Sequence, residues 1–337
     1  MANKKANCFK ILATLLLLFS FSVEADITLD WPTYKARFMM DDGRIIDTGN
    51  HSISHTEGQG VGMLFAVAAN DPESFKKIWH WTQTTLEDKK SHLFYWRYDP
   101  TAPMPVKDHN NASDGDTLIA WALLKAGQKW HNLNYLQSSD QITQALIRYT
   151  VVDFAHHKVM LPGRTSFQFK NKIDINPSYF IFPAWQDFAK RSHLQIWNEL
   201  TKDAFNLLKT MRGKMVNLPG DWLTLHDDGV FTPASRWPAR MSYDAIRIPL
   251  YLYWQQPNSD LLGVWKHWFK KYSRLQTPAW VNVQSAKTAN YPMQGGLLAV
   301  RDLSLNQLNR SDTHITHQDD YYSASLKMLT VLAYKHF

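Results

Sequence analysis

Cysteine is nearly missing from this chain of 337 residues: its one thiol is Cys8. That residue precedes an apolar run at 11–21 and is not placed for lipid attachment at a processed N-terminus. Beyond residue 25 the chain has no disulfide and no cysteine metal ligand. Other absences narrow the chemistry further. There is no His-Glu-x-x-His pair, and the nearest metal-like spacing, His314-x-x-His317 beside Asp319 and Asp320, reads better as a polar loop, so no metal is expected. No phosphate-binding loop, dinucleotide glycine fingerprint or Gly-x-Ser-x-Gly elbow occurs, so no organic cofactor is expected either. The net charge is +7, yet no run of Lys and Arg stands out, which argues for a solvated surface and against nucleic acid as partner. After the first 25 residues no apolar run is long enough to span a membrane. No Pro/Ser-rich linker and no low-complexity tract divides the chain.

What is present begins with the N-terminus. Lys4, Lys5 and Lys10 form a basic region, residues 11–21 an apolar core, and Val23-Glu24-Ala25 a small-x-small site. This is the pattern of a secretory signal peptide cleaved after Ala25. The expectation is a periplasmic or secreted protein, a monomer, with residues 26–337 as a single domain. Aromatics are abundant, with 14 Trp, 14 Tyr and 17 Phe. Most will be core. An excess of Trp and Tyr also suits a cleft for flat rings with apolar faces and polar edges, as sugars have.

From Trp31 onward the apolar spacing is mostly helical. Helices are expected over 31–39, 57–70, 72–88, 112–130, 134–150, 177–191, 194–211, 242–255, 259–272, 293–302 and 319–336. A mostly apolar helix is repeatedly followed by a more amphipathic one. Two concentric rings of about twelve helices would require that alternation, so an all-α barrel, an α/α barrel, is expected. Strand-like pieces are few: Val159-Met160-Leu161-Pro162 and Gly229-Val230-Phe231 are expected to pair as a small β hairpin at the cleft end. Long loops at 91–112, 158–176, 217–241 and 274–292 hold the polar residues, and function concentrates in such loops.

Three carboxylate clusters stand out. In His55-Thr56-Glu57-Gly58-Gln59-Gly60-Val61-Gly62-Met63, an acid sits at a glycine-rich turn before an apolar helix. Taken alone, Glu57 reads equally well as a first-turn carboxylate behind a Thr56 N-cap. Ala112-Ser113-Asp114-Gly115-Asp116 heads a nearly all-apolar helix. Asp244, one turn from Arg247, is expected to head another and to pair with that arginine. In an α/α barrel the inner helices run parallel, so these three heads gather at one end. Two facing carboxylates, one protonated and one ionised, are the minimum for glycoside hydrolysis. Trp96, Trp121, Trp222 and Trp237 are the candidate stacking platforms.

These blocks resemble glycoside hydrolase family 8. The resemblance rests on Ala112-Ser113-Asp114-Gly115-Asp116 with the apolar helix to Trp130, on Glu57-Gly58-Gln59 with Gly62-Met63, on Asn176-Pro177-Ser178-Tyr179, and on Ser242-Tyr243-Asp244-Ala245-x-Arg247, in family order. The segment from Trp31-Pro32 to Asp47 is similar to periplasmic endoglucanases encoded with bacterial cellulose synthases. The resemblance implies an (α/α)6 barrel and an inverting endo-β-1,4-glucanase acting on cellulose-like β-1,4-glucan, with cellulose synthase or export machinery as the expected partner. Xylan or chitosan hydrolysis, or glycan binding without catalysis, are the alternatives. It implies Glu57 as general acid, Asp244 as general base, and Asp114 holding the sugar at the cleavage point. Tyr179, Tyr243 and Arg247 would line that subsite; Trp96 and Asp116 are further candidates for substrate contact, Asp116 the more structural of the two. Two departures mark this chain: Gly60-Val61 stands where the family has Ser-Tyr, and residues 170–175 lack the family's Trp.

Overall fold

The computed structural model describes residues 27–337; the signal peptide expected at 1–25, with its expected cleavage point, lies outside the described residues. Twelve α-helices follow one another among these residues. They are α1 (Trp31–Phe38), α2 (Thr56–Ala68), α3 (Pro72–Thr85), α4 (Ser113–Lys129), α5 (Leu133–Thr150), α6 (Phe182–Ser192), α7 (Gln195–Thr210), α8 (Arg247–Gln255), α9 (Gly263–Phe269), α10 (Gly295–Ser304), α11 (Arg310–Thr313) and α12 (Tyr321–Tyr334). The even-numbered helices pack neighbour to neighbour, α2 on α4, α6, α8, α10 and α12 in turn, and α12 closes back on α2. The odd-numbered helices lie outside, each against an inner one. This is an (α/α)6 barrel, the architecture the alternating pattern implies.

Composition explains which helix goes where. In α4, fourteen of seventeen residues are buried, and in α8 eight of nine. A helix without a polar face has to be surrounded. Outer helices keep one apolar stripe, such as Phe75, Ile78 and Trp79 on α3, which starts at an Asp71 cap followed by Pro72. The glycine-bearing inner helices α2 and α4 approach each other very closely. A Cβ on Gly60 would stand 2.6 Å from the Leu118 Cβ, and one on Gly115 would stand 2.0 Å from the Thr56 hydroxyl. Gly60 is therefore required by α4, and no serine side chain fits there.

The strands are short and bracket the inner helix starts. They pair antiparallel as β1 (Ser54–His55) with β2 (Arg97–Tyr98); β3 (Val151–Phe154) with β4 (His157–Met160); β5 (Lys172–Ile175) with β6 (Leu223–His226) and β6 with β7 (Phe231–Pro233); and β8 (Arg240–Met241) with β9 (Val281–Asn282). The expected hairpin between 159–162 and 229–231 does not form. Val159 faces Val152, and Phe231 faces Leu225, each within its own sheet. Close sequence neighbours won because a short loop closes at lower entropic cost than a long one.

Helix boundaries also differ from expectation: residues 259–272 hold the 3-10 turn Asp260–Leu262 and then α9, and two further differences bear on the site. Residues 177–191 divide into a single 3-10 turn, Pro177–Tyr179, and then α6. Residues 242–246 form a turn ahead of α8, because the backbone N–H groups of Ser242 and Ala245 are both held by the Asp221 carboxylate, 2.8 Å away in each case.

Candidate active site

The sheets deliver the polar residues to one place. β1 runs into Glu57 at the start of α2, β5 into Asn176 and Tyr179, and β8 into Asp244, while β6 begins just after Trp222. The β3–β4 hairpin secures the start of α4: Ser113 donates from its N–H to Pro162 O at 2.8 Å and from its hydroxyl to Leu161 O at 2.8 Å. The cap of α2 is His55, not Thr56, which already lies inside the helix. The His55 Nδ1 accepts the Gly58 N–H at 3.1 Å, and its Nε2 faces Asp47 at 3.6 Å. Burial works against the charged imidazole, yet the carboxylates of Asp47, Glu57 and Asp114 outweigh it and push the His55 pKa up.

Arg247 joins the three carboxylates. It is buried at the first turn of α8. Its Nη2 donates to Asp244 Oδ1 at 3.0 Å and to the Ser178 hydroxyl at 3.1 Å, and lies 4.0 Å from Asp114 Oδ2. Its Nη1 donates to Tyr243 O at 3.3 Å and lies 3.8 Å from Glu57 Oε1. Both nitrogens belong to one rigid planar group, so the facing oxygens of Glu57 and Asp244 are at most about 9 Å apart. The side chains of Glu57 and Asp244 are 23% and 31% exposed, whereas that of Asp114 is 6% exposed. Two carboxylates thus face the solvent side and one lies beneath them.

Asn176-Pro177-Ser178-Tyr179, an ordinary turn signal in sequence, proves to be a support for this centre. Asn176 Oδ1 accepts both the N–H and the hydroxyl of Ser178, whose oxygen in turn receives Arg247. The next residue, Tyr179, is half-buried, and its hydroxyl pKa is driven well above the ordinary value by burial and by Asp114 and Asp244. Tyr243 is more open, 43% exposed, with its hydroxyl 3.5 Å from that of Tyr291. Tyr322, which sequence reasoning missed, donates its hydroxyl to Tyr243 O, and burial drives its pKa far above the ordinary value, with Arg247 opposing and Glu57 and Asp244 adding to the rise. Trp96 is half-buried beside the acid: its carbonyl accepts the Thr56 N–H at 3.0 Å, and its indole N–H donates to Asp108 at 2.8 Å.

Other candidates fall elsewhere. Asp116 is fully buried and is taken up by the Phe94 N–H at 2.9 Å and Asn111 Nδ2 at 2.7 Å, so its place is structural and not at the substrate. We expect Asp116→Ala to leave KM unchanged and to cost at least about 2 kcal/mol, because two buried donors lose their acceptor; denaturant titration checks this. Trp121 is wholly buried against Trp254 and is core. Trp222 and Trp237 stack on each other, centroids 4.1 Å apart and planes within 4°, so each has a face closed to a sugar. A second residue that sequence reasoning missed is Asp221. No local pattern marks it, since its partners Ser242 and Ala245 are more than twenty positions away.

Burial pushes the Asp114 carboxyl up to about 7, with Glu57 adding to the effect, and pushes Asp116 up to about 8. Burial and Asp244 push Asp221 up to about 6. Between the ordinary carboxyl range and these values, the folded chain holds protons that the unfolded chain has released. Stability must therefore fall as pH rises through roughly 4 to 8. His55, also raised, contributes in the same direction. The depressed carboxyls Asp71, Asp88 and Asp319 contribute fully at any pH above about 4 and do not alter that slope. The melting temperature is expected to be higher at pH 5 than at pH 8 by scanning calorimetry; an equal or reversed order would contradict the assignment.

The model of the family described as glycosyl hydrolases family 8 matches residues 6–336. An endoglucanase of Cellulomonas uda is 56% identical over 277 residues, covering 82% of this chain and 77% of its own. A probable endoglucanase of Novacetimonas hansenii is 34% identical over 91% of this chain and 90% of its own. Among solved structures, an endoglucanase of Klebsiella pneumoniae, itself a family 8 glycosyl hydrolase, superposes with a TM-score of 0.89 at 56% identity, covering 91% of this chain and 98% of that one.

Proposed function

The chain belongs to the glycosyl hydrolases of family 8, and from that premise we propose that it is an endo-β-1,4-glucanase that cleaves cellulose-like glucan with inversion. The observation that carries this reading is the convergence of Glu57 and Asp244 on the single guanidinium of Arg247. The separation of at most about 9 Å accommodates the roughly 6.5–9.5 Å that inverting glycosidases keep between their carboxyls to admit a water. Glu57, protonated, gives its proton to the glycosidic oxygen as the bond to C1 breaks. Asp244, ionised, takes a proton from the water whose oxygen attacks C1 from the opposite face. The products are two shorter chains, a protonated Asp244 and an ionised Glu57, which exchange protons with solvent before the next turnover.

Asp114 lies beneath this pair and is read as the residue that holds the sugar at the cleavage point. Arg247 faces all three acids with its single positive charge. Tyr179, Tyr243 and Trp96 supply the walls of the same subsite. Nothing in this scheme calls for a metal or an organic cofactor. The endo-acting feature is supported by relatives named endoglucanase and probable endoglucanase, and the β-1,4 feature by a solved structure from Acetobacter xylinum described as an endo-β-1,4-glucanase. We further read the protein as a monomer with one catalytic domain, exported after cleavage at Ala25 and working beside cellulose synthesis machinery. No helix among the described residues is long and apolar enough to cross a membrane.

The test is hydrolysis of carboxymethyl cellulose with the anomeric form of the new reducing ends followed by NMR. The α-anomer should appear first. Initial β-anomer would overturn inversion. Release of ends from xylan or chitosan but not from the cellulose derivative would reassign the substrate, and binding without turnover would overturn the enzymatic reading.

A further inference from the structure

Each oxygen of the Asp244 carboxylate has its own donor. Oδ1 receives Arg247, and Oδ2 receives the indole N–H of Trp222 at 3.1 Å. The residue before Trp222 acts on the same turn: Asp221 accepts the N–H groups of Ser242 and Ala245 and the hydroxyl of Ser242. One dipeptide therefore grips both the backbone around Asp244 and its side chain. From this geometry we propose that Trp222 is a positioning residue that aims the Asp244 carboxylate. The inference rests on the reading of Asp244 as the base.

The indole is itself held from several sides. Trp237 stacks on it, Phe167 lies nearly parallel at 5.9 Å, and Tyr179 meets it edge-on at 6.0 Å. The Arg236 guanidinium sits 4.5 Å from the Trp237 ring and is fixed in turn by Asp174 at 2.9 Å and Ser166 O at 2.8 Å. Asp174 lies on β5 and accepts the Thr224 hydroxyl from β6 at 2.6 Å, so the stack is tied to the three-stranded sheet. A sugar platform needs an open aromatic face, and here the face toward Trp237 is closed. The ordering of Trp222 is instead spent on one bond to the more exposed of the two solvent-side carboxylates. Fixing both oxygens restricts rotation of the carboxylate about its Cβ–Cγ bond, and with it the direction from which a water can be deprotonated. A pre-aimed base saves ordering at the moment of reaction.

The test is Trp222→Phe, which keeps an aromatic ring for Trp237 to stack on and removes only the N–H. A hydrogen bond to an ionised partner contributes enough to predict a fall in kcat of about 10- to 100-fold, with KM within about twofold of the parent. The acid limb of kcat/KM should also move to higher pH, because an N–H bonded to a carboxylate favours its ionised form. The other groups facing Asp244 (Arg247, Asp221, Asp114, Glu57, Tyr179 and Tyr322) are the same in parent and variant, so the shift reports on the indole. Unchanged kcat would overturn the proposal, and so would a raised KM at constant kcat, which would make Trp222 a sugar contact. Trp237→Leu serves if the first variant misfolds: it leaves the N–H but frees the indole, and kcat must fall at constant KM. Asp244→Asn is the control. If it remains active, the base assignment itself is wrong. If it is inactive while Trp222→Phe is unaffected, only the positioning role is lost.

Discussion

Glu57→Gln is expected to lower kcat on a soluble β-1,4-glucan by about 10²- to 10⁴-fold, the range that a positioned general acid contributes. The fold should be retained. Gln has nearly the volume of Glu, the side chain is only partly covered, and its charge partner is Arg247 at the long distance of 3.8 Å. Leaving-group chemistry separates this role from that of Asp244. An aryl oligoglucoside whose phenol departs without protonation needs no acid, so Glu57→Gln should lose far less activity on it than on the polymer. Asp244→Asn should lose activity on both. There is an electrostatic corollary. Glu57 is the largest charge contribution to the raised pKa of Asp114, so removing that charge should lower the Asp114 pKa from about 7 and flatten the pH dependence of stability. Undiminished hydrolysis of the polymer by Glu57→Gln would remove Glu57 from the mechanism.

Why Glu57 reads as a candidate acid from sequence, while Trp222 reads as a stacking platform and not as a partner of Asp244, follows from the range of the interactions. Inner helices declare themselves through local composition: α2 and α4 are apolar nearly all round, and their acidic heads stand within the first turn. Alternating buried and amphipathic helices implies the barrel, and the barrel implies that the heads gather. The family blocks around Glu57, Asp114 and Asp244 are contiguous and equally legible. Contacts between distant segments are another matter. Trp222 meets Asp244 across 22 positions, Ser178 meets Arg247 across 69, and Arg236 meets Asp174 across 62. No periodicity encodes such pairs. The same limit explains the errors. Thr56 is a better cap than His55 by propensity, but the chain entering from β1 places His55 at the boundary. Asp116 shares the acidic head of α4 with Asp114, yet one turns toward Arg247 and the other toward Phe94 and Asn111. Gly60, a departure from the family pattern, is accounted for by the surface of α4 at Leu118.

Arg247→Met should be the most destabilising change at the site, and its consequences reach beyond activity. The arginine is buried, and its single positive charge lies within 4.0 Å of Glu57, Asp114 and Asp244 while it bonds Ser178 and the Tyr243 carbonyl. Removing one partner of a buried ion pair typically costs about 3–5 kcal/mol, because the remaining charge is left without compensation. Here three carboxylates are left. The cost must depend on pH. Without Arg247 the folded-state pKa of Asp114, already raised by burial and by Glu57, rises further, so the folded chain takes up still more protons than the unfolded one. The deficit should therefore be greatest near pH 8 and shrink as pH falls toward 5. A second substitution separates charge from packing. Asp114→Asn removes the most buried of the three charges, and in the Arg247→Met background it should restore part of the lost stability, whereas two independent losses would simply add. Arg247→Lys should restore little, since one ammonium cannot reproduce the fork that reaches Ser178 and Asp244 from one nitrogen and the Tyr243 carbonyl from the other. Denaturant titrations of the parent, both single variants and the double variant at pH 5 and pH 8 test the whole scheme. A deficit equal at both pH values, or strict additivity in the double variant, would show that Arg247 acts by packing and not as the common counter-charge of the three acids.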